Sequence, residues 1–132
     1  MKSLGSRETA LLCVRYALEK KAYDLVVMDV GQCASFAEYF VICSGRSDTQ
    51  VQAIARGIEE NLDRLGVRPL SVEGYSLGHW VLLDYADVVV HVFFQPVREY
   101  YDLERLWGHA PRLALPEPYR TQARELRLAG QG

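Results

Sequence analysis

The sequence has few of the features that mark secreted or membrane-spanning chains. Its three cysteines, Cys13, Cys33 and Cys43, form no CxxC motif and no even set, so a disulfide framework is excluded and a reducing compartment is predicted. No apolar run approaches the roughly 18 residues that are needed to cross a bilayer. The early apolar run at 11–14 is cut by Arg15, which is not the pattern of a signal peptide. We therefore expect a cytoplasmic protein with no membrane partner.

Motifs for phosphate or nucleophile chemistry are also lacking. Gly45-Arg46-Ser47-Asp48 leads from a predicted strand into a helix, but it matches neither a Walker loop nor GxGxxG. The capping box that begins at Ser47 uses the amides that a phosphate would need, so a turn with an N-cap is favoured over a phosphate site. No serine or cysteine lies in a nucleophile elbow. The sequence predicts no catalytic residue and no cofactor.

A metal site is disfavoured by the spacing of its candidate ligands. Asp84, Asp87 and His91 carry the right atoms for a divalent cation. Asp84 ends a predicted strand and Asp87 sits in a turn, so the two carboxylates need not aim at one point. Aspartates at hairpin ends are ordinary turn residues. We predict no metal here.

Charge is distributed unevenly along the 132 residues. Residues 22–107 hold six arginines and thirteen Asp or Glu, a net −7, whereas residues 1–21 carry +3 and residues 108–132 carry +2. An acidic body suits a basic protein partner better than a nucleic acid, so sequence-specific nucleic-acid binding is not expected. The alternative is that these charges only solvate the surface.

Hydrophobic periodicity predicts an α/β fold with the order α-β-β-α-β-β-β-α and a mixed five-stranded sheet. The predicted helices cover residues 6–21, 47–65 and 96–107, and the predicted strands cover residues 25–28, 39–43, 70–73, 79–84 and 88–94. Three helices are too few to cover both faces of such a sheet, so one face is expected to stay partly open. We predict a domain over residues 1–108 and a loosely held extension over residues 109–132, with a tail helix whose apolar face carries Tyr119, Ala123 and Leu126.

The predicted hairpin near the middle of the chain has two unlike faces. Alternation along its strands places Trp80, Leu82 and His91 on one face and aliphatic residues on the other. A tryptophan beside histidine and aspartate has the composition of a binding hot spot, but it also fits a core position, and the pattern leaves both readings open. Tyr100 and Tyr101 are interpreted, with Trp107, as packing and partner surface.

Four sequence blocks resemble those of the ribosomal silencing factor family, also called RsfS or Iojap. They are YFVICSG from residue 39, VEG from residue 72, WVLLDYADVVVHV from residue 80 and REYYDLERLW from residue 98. The resemblance covers residues 8–107. It implies a nucleotidyltransferase-like fold with no established enzymatic activity. Nucleotidyltransferases need a Gly-Ser turn and an Asp-x-Asp pair, whereas here Arg46 separates Gly45 from Ser47 and two residues separate Asp84 from Asp87, which agrees with a fold kept and a chemistry lost.

The resemblance also implies a partner and a mechanism. The family binds the large ribosomal subunit through that subunit's protein fourteen, on the intersubunit face, and so blocks the small subunit and represses translation under nutrient limitation. Together with the alternation, this predicts six partner-binding residues: Glu73, Trp80, Leu82, Tyr85, Asp87 and His91. The alternatives are a nucleotide-dependent nucleotidyltransferase-like enzyme and an interaction module for a non-ribosomal partner. An exposed apolar face also allows a homodimer off the ribosome.

Overall fold

The computed structural model describes residues 4–131, which form helices packed on a sheet. The helices are α1 (Ser6–Glu19), α2 (Asp48–Arg64), α3 (Gln95–Tyr101), α4 (Leu103–Leu106) and α5 (Tyr119–Gln131). The strands are β1 (Tyr23–Asp29), β2 (Tyr39–Gly45), β3 (Ser71–Glu73), β4 (Trp80–Asp84) and β5 (Val88–Phe94). In this part of the chain, no helix is long and apolar enough to cross a membrane.

The strands form one mixed five-stranded sheet, as the sequence predicts, and their order across it is β1-β2-β5-β4-β3. β2 and β5 run parallel, and the other neighbouring pairs are antiparallel. The sequence of β2 is apolar on both faces, and β2 lies inside the sheet between β1 and β5. The β4–β5 pair is the predicted hairpin. A mixed α/β fold is therefore confirmed.

One face of the sheet, here called the helical face, packs against α1 and α2. α2 is the element with the clearest sequence signals. Its N-cap Ser47 accepts a hydrogen bond from the Gln50 amide at 3.1 Å, and the Gln50 side chain accepts from the Arg46 amide at 2.6 Å. Gly66 follows the helix with φ +81°, the conformation that glycine adopts most readily. The groups that a phosphate would need at this turn are already hydrogen-bonded.

Ser6 opens the first predicted helix and is a residue type common at N-caps, but it does not cap α1. Gly5 is the N-cap, and Ser6 is the first helical residue. The Ser6 hydroxyl donates instead to the carboxylate of Glu38, in the loop between β1 and β2. The contact is 32 residues away in sequence, so a local cap rule does not reveal it.

The other face of the sheet is covered by the 31–38 loop and by α3 and α4, and the prediction of a single helix over residues 96–107 is wrong. The helix breaks at Asp102, whose φ of 48° is left-handed. The break lets Glu104 turn back to Arg98, and the two side chains form a paired contact at 3.1 and 3.2 Å. Arg98 also donates to the Asp24 carbonyl at 2.6 Å and to the Ser44 hydroxyl at 2.8 Å, which ties α3 to β1 and β2.

The C-terminal segment covers the outer edge of β1. The Asp29 amide donates to the Pro111 carbonyl at 2.7 Å, and the Leu113 amide donates to the Val27 carbonyl at 2.8 Å. The tail helix α5 then packs its predicted apolar face onto the core of the helical face, through Tyr119, Ala123 and Leu126. The division into a domain over 1–108 and an extension over 109–132 stays a prediction.

Candidate partner-binding face

The predicted hairpin residues share one face of the sheet. Leu82 lies opposite both His91 on β5 and Glu73 on β3, while Trp80 lies opposite Phe93. Leu82, Trp80 and Phe93 belong to the apolar cluster on the face that α1 and α2 leave uncovered. Trp80 and Leu82 are only half-buried, and Glu73 is exposed at the sheet edge. The alternation therefore gives the correct face for Trp80, Leu82 and His91.

Trp80 is held by three neighbours. Its ring stacks on Phe93 with the centroids 4.8 Å apart, and Tyr101 of α3 lies against it at 5.0 Å. Its indole Nε1 donates a hydrogen bond to Nδ1 of His91 at 3.2 Å. A half-buried tryptophan with fixed neighbours and a satisfied N–H offers apolar area without the entropy loss of an unrestrained side chain.

His91 is almost fully buried, with 4% of its surface exposed. Burial lowers the pKa of His91 to about 4, because the charged imidazolium loses its solvation. The imidazole is then neutral near pH 7, and its Nδ1 is free to accept from Trp80. Its Nε2 has no hydrogen-bond partner among the described residues. His91 therefore holds the Trp80 indole in place through this hydrogen bond, and little of its own surface is accessible to a partner.

Tyr85 lies apart from the other predicted residues. It packs in the core of the helical face with 9% of its surface exposed, and burial raises the pKa of its hydroxyl. Asp87 is exposed beside it in the β4–β5 turn. Asp84 accepts from the Ala86 amide at 2.8 Å, which is the turn role that its position predicts. The structure thus brings Glu73, Trp80, Leu82 and His91 together, but not Tyr85 or Asp87, which lies at the turn end of the hairpin.

Nucleophiles and metal ligands are not gathered at this face. Within residues 4–131, no three His, Cys, Asp or Glu side chains are placed to hold a metal ion. Cys13 and Cys43 are buried on the helical face. Burial raises the pKa of Cys43 to about 12, so its thiol stays protonated and unreactive.

Sequence reasoning missed two exposed apolar residues near this face. Phe36 in the 31–38 loop is 60% exposed and Leu106 in α4 is 75% exposed. Tyr100 and Tyr101, which the sequence predicts as packing and partner surface, are 81% and 53% exposed. Neither periodicity nor a motif marks Phe36, because its loop is irregular.

Comparison with known proteins identifies the family. A sequence profile described as "Ribosomal silencing factor during starvation" matches residues 3–129. The chain belongs to the ribosomal silencing factor family. The ribosomal silencing factor of Bacillus subtilis is 48% identical over 93 residues, which are 70% of this chain and 79% of that protein. That of Halalkalibacterium halodurans is 40% identical over 112 residues, 85% of this chain and 96% of the relative.

More distant relatives and solved structures agree with this assignment. The chloroplast protein Iojap of Zea mays is 31% identical over 81% of this chain and 46% of its own length. A crystal structure from Chromobacterium violaceum superposes with a TM-score of 0.78 at 33% identity, covering 88% of this chain and 99% of that one. The family's role is regulation of translation, and the two bacterial relatives above are named for ribosomal silencing rather than for a catalysed reaction.

Proposed function

We propose that this protein binds the large ribosomal subunit through its protein fourteen, on the intersubunit face, and so prevents the small subunit from joining. The observation that carries the proposal is the half-exposed, laterally held Trp80 on a sheet face that α1 and α2 leave uncovered. Aromatic side chains in this setting are typical hot spots of protein interfaces. Translation would then be repressed in the cytoplasm when nutrients are limiting.

Charge supports a basic protein as the partner. Residues 22–107 carry a net −7 from six arginines and thirteen acidic residues. Glu73 is exposed on β3 opposite Leu82, and Asp87 is exposed in the turn at the far end of the β4–β5 pair from Trp80. Acidic groups at the rim of an interface attract a basic partner and raise the association rate, while the apolar centre controls dissociation.

Steric exclusion requires only that the bound protein occupy the space into which the small subunit would join. A chain of this length is roughly 30 Å across when compact. Two surfaces that join in direct contact leave no room for a body of that size. A standard interface buries about 1,600 Å² in total, enough to hold such a domain in place. The effect should therefore follow occupancy and need no turnover.

The relation to nucleotidyltransferases belongs to the same proposal, as a fold retained without the chemistry. Arg46 separates Gly45 from Ser47, and the Ser47 hydroxyl accepts a hydrogen bond from the Gln50 amide. Asp84 is engaged by the turn amide of Ala86. These groups serve local structure, which favours a binding protein over a nucleotide-dependent enzyme.

The test compares Trp80→Ala with Leu65→Ala in binding to purified large subunits. Loss of an interface tryptophan typically costs about 2 kcal/mol or more, so Trp80→Ala should bind at least about thirtyfold more weakly. Leu65→Ala is the matched control, because Leu65 is exposed at the end of α2 on the helical face. Parent-like binding by a folded Trp80→Ala protein would contradict the proposal.

A salt series tests the electrostatic part separately. The association rate of the parent should fall as ionic strength rises, and the dissociation rate should change less. An association rate that is insensitive to salt would remove the role of Glu73 and Asp87 but leave that of Trp80.

A further inference from the structure

Aromatic rings form a continuous row across the face of the sheet opposite α1 and α2. Trp80 contacts His91 and His91 contacts Phe40, with centroid distances of 6.0 and 5.0 Å. Phe40 contacts Trp107 at 5.3 Å, and Trp107 contacts Phe36 at 6.0 Å. The row thus runs from the β4–β5 hairpin to the 31–38 loop. It is much longer than the hairpin patch that the sequence predicts.

The row continues past Trp80 in the other direction. Tyr101 of α3 lies 5.0 Å from Trp80, and Tyr100 lies 5.1 Å from Tyr101 in an edge-on arrangement. The middle of the row is covered, with Phe40 only 3% exposed, while Tyr101 and Tyr100 are 53% and 81% exposed. At the far end, Phe36 is 60% exposed. The accessible apolar area therefore lies at the two ends and at Trp80 between them.

The hairpin patch by itself is small for a stable interface. A specific protein interface buries about 800 Å² on each partner, with a well-packed apolar centre. Of the predicted contact residues, Tyr85 and His91 are 9% and 4% exposed and contribute little. A partner that contacts Trp80 must therefore also contact neighbouring surface to bury about 800 Å² on this protein. The exposed rings at the two ends of the row provide such surface.

The charges beside the row favour a basic protein surface. At one end, Phe36 lines a surface hollow together with Asp29, Glu38 and Asp87, and no Lys or Arg lines it. At the other end, Glu99 and Asp102 flank the two tyrosines, but both line a hollow that five arginines also line, so the acidic charge that would attract a basic surface lies at the Phe36 end. Lys and Arg side chains are attracted both to carboxylates and to the faces of tyrosine rings.

We propose that the ribosomal partner docks along the whole aromatic row, and that Phe36 at one end and Tyr100 and Tyr101 at the other are contact residues. The proposal rests on the proposed function and extends its site from the hairpin to the loop before β2 and to α3. The occupant is a single basic protein surface that presents apolar groups to the rings and Lys or Arg to the carboxylates.

The experiment measures the affinity of end variants for purified large subunits and for the isolated ribosomal protein fourteen. Phe36→Ala, Tyr100→Ala and Tyr101→Ala should each weaken binding about fivefold to tenfold, the effect of a contributing interface residue. Leu65→Ala and Leu70→Ala are the matched controls, because they remove side chains that are 49% and 75% exposed outside the row. The controls should bind within about twofold of the parent. Thermal unfolding of each variant verifies that the fold is kept.

The outcomes separate this proposal from the proposed function. If Trp80→Ala weakens binding but the three end variants behave like the controls, the extended surface is wrong and the proposed function stands. If Trp80→Ala and the end variants all bind like the parent, both are wrong. If the end variants change only the sedimentation of the free protein, the row pairs two copies of this chain, and the proposal is overturned. If they weaken binding to the subunit but not to the isolated protein fourteen, the row contacts another component of the subunit, which overturns the assignment of the partner.

Discussion

Replacing His91 should change how stability depends on pH. The pKa of His91 is about 4 in the folded chain, against about 6.5 when unfolded. The unfolded state therefore binds a proton that the folded state does not, so stability is full above about pH 6.5 and falls as pH drops toward 4. Between about pH 7 and pH 4.5 this single group should cost about 2 kcal/mol of the free energy of unfolding.

Urea unfolding of the parent, His91→Gln and His91→Phe at several pH values measures this cost. Both variants should lose less stability than the parent on acidification, by about 2 kcal/mol, since neither titrates there. Near pH 7 His91→Phe should be about 1 kcal/mol less stable than the parent, because the Trp80 indole N–H loses its acceptor. Equal pH dependence in the parent and both variants, or an NMR titration of His91 near pH 6.5, would refute the buried, neutral imidazole.

Other predictions concern parts of the chain that support this face. Arg98→Met should cost roughly 3–5 kcal/mol in urea unfolding, because it leaves the Glu104 carboxylate unpaired. It should cost more than Glu104→Gln, because it also removes the donors to the Asp24 carbonyl and the Ser44 hydroxyl; equal costs would contradict this. Gly74→Ala should be clearly more destabilising than Gly66→Ala, which should cost about 1 kcal/mol: both glycines have positive φ, but only at Gly74 would the new Cβ overlap a main-chain carbonyl of β4. Deleting residues 109–132 should lower Tm by at least about 4 °C and promote aggregation, because the edge of β1 becomes exposed; an unchanged Tm would show that this edge needs no cover.

Local sequence signals predicted the elements whose ends are set locally. α2 has a hydroxyl cap at Ser47, a Gln at the third helical position and Gly66 just after its end. Each of these residues begins or ends the helix through contacts with its immediate neighbours in sequence. The helix over residues 96–107 was predicted wrongly because its break at Asp102 serves a contact between side chains of Arg98 and Glu104. Helical periodicity does not record such a contact.

The candidate site likewise contains residues that local patterns predict and a residue that they do not. Strict alternation along β4 and β5 placed Trp80 and His91 on one face, since a period of two follows from strand geometry. Tyr85 has the same parity as Val81 and lies with it on the other face, so the alternation does not support grouping Tyr85 with Trp80. The contact of Phe36 with the row could not be predicted, because it depends on how the loop before β2 folds over the sheet.

The most direct test of the account is a subunit-joining assay with purified components. Purified protein is added to separated large and small subunits, and the fraction of joined ribosomes is measured by sedimentation against the occupancy of the large subunit. Steric exclusion predicts that joining falls in proportion to occupancy, reaches its minimum near one copy per large subunit, needs no nucleotide, and fails with Trp80→Ala at the same concentration. Full occupancy with joining unchanged, or inhibition far below one copy per large subunit, would contradict it.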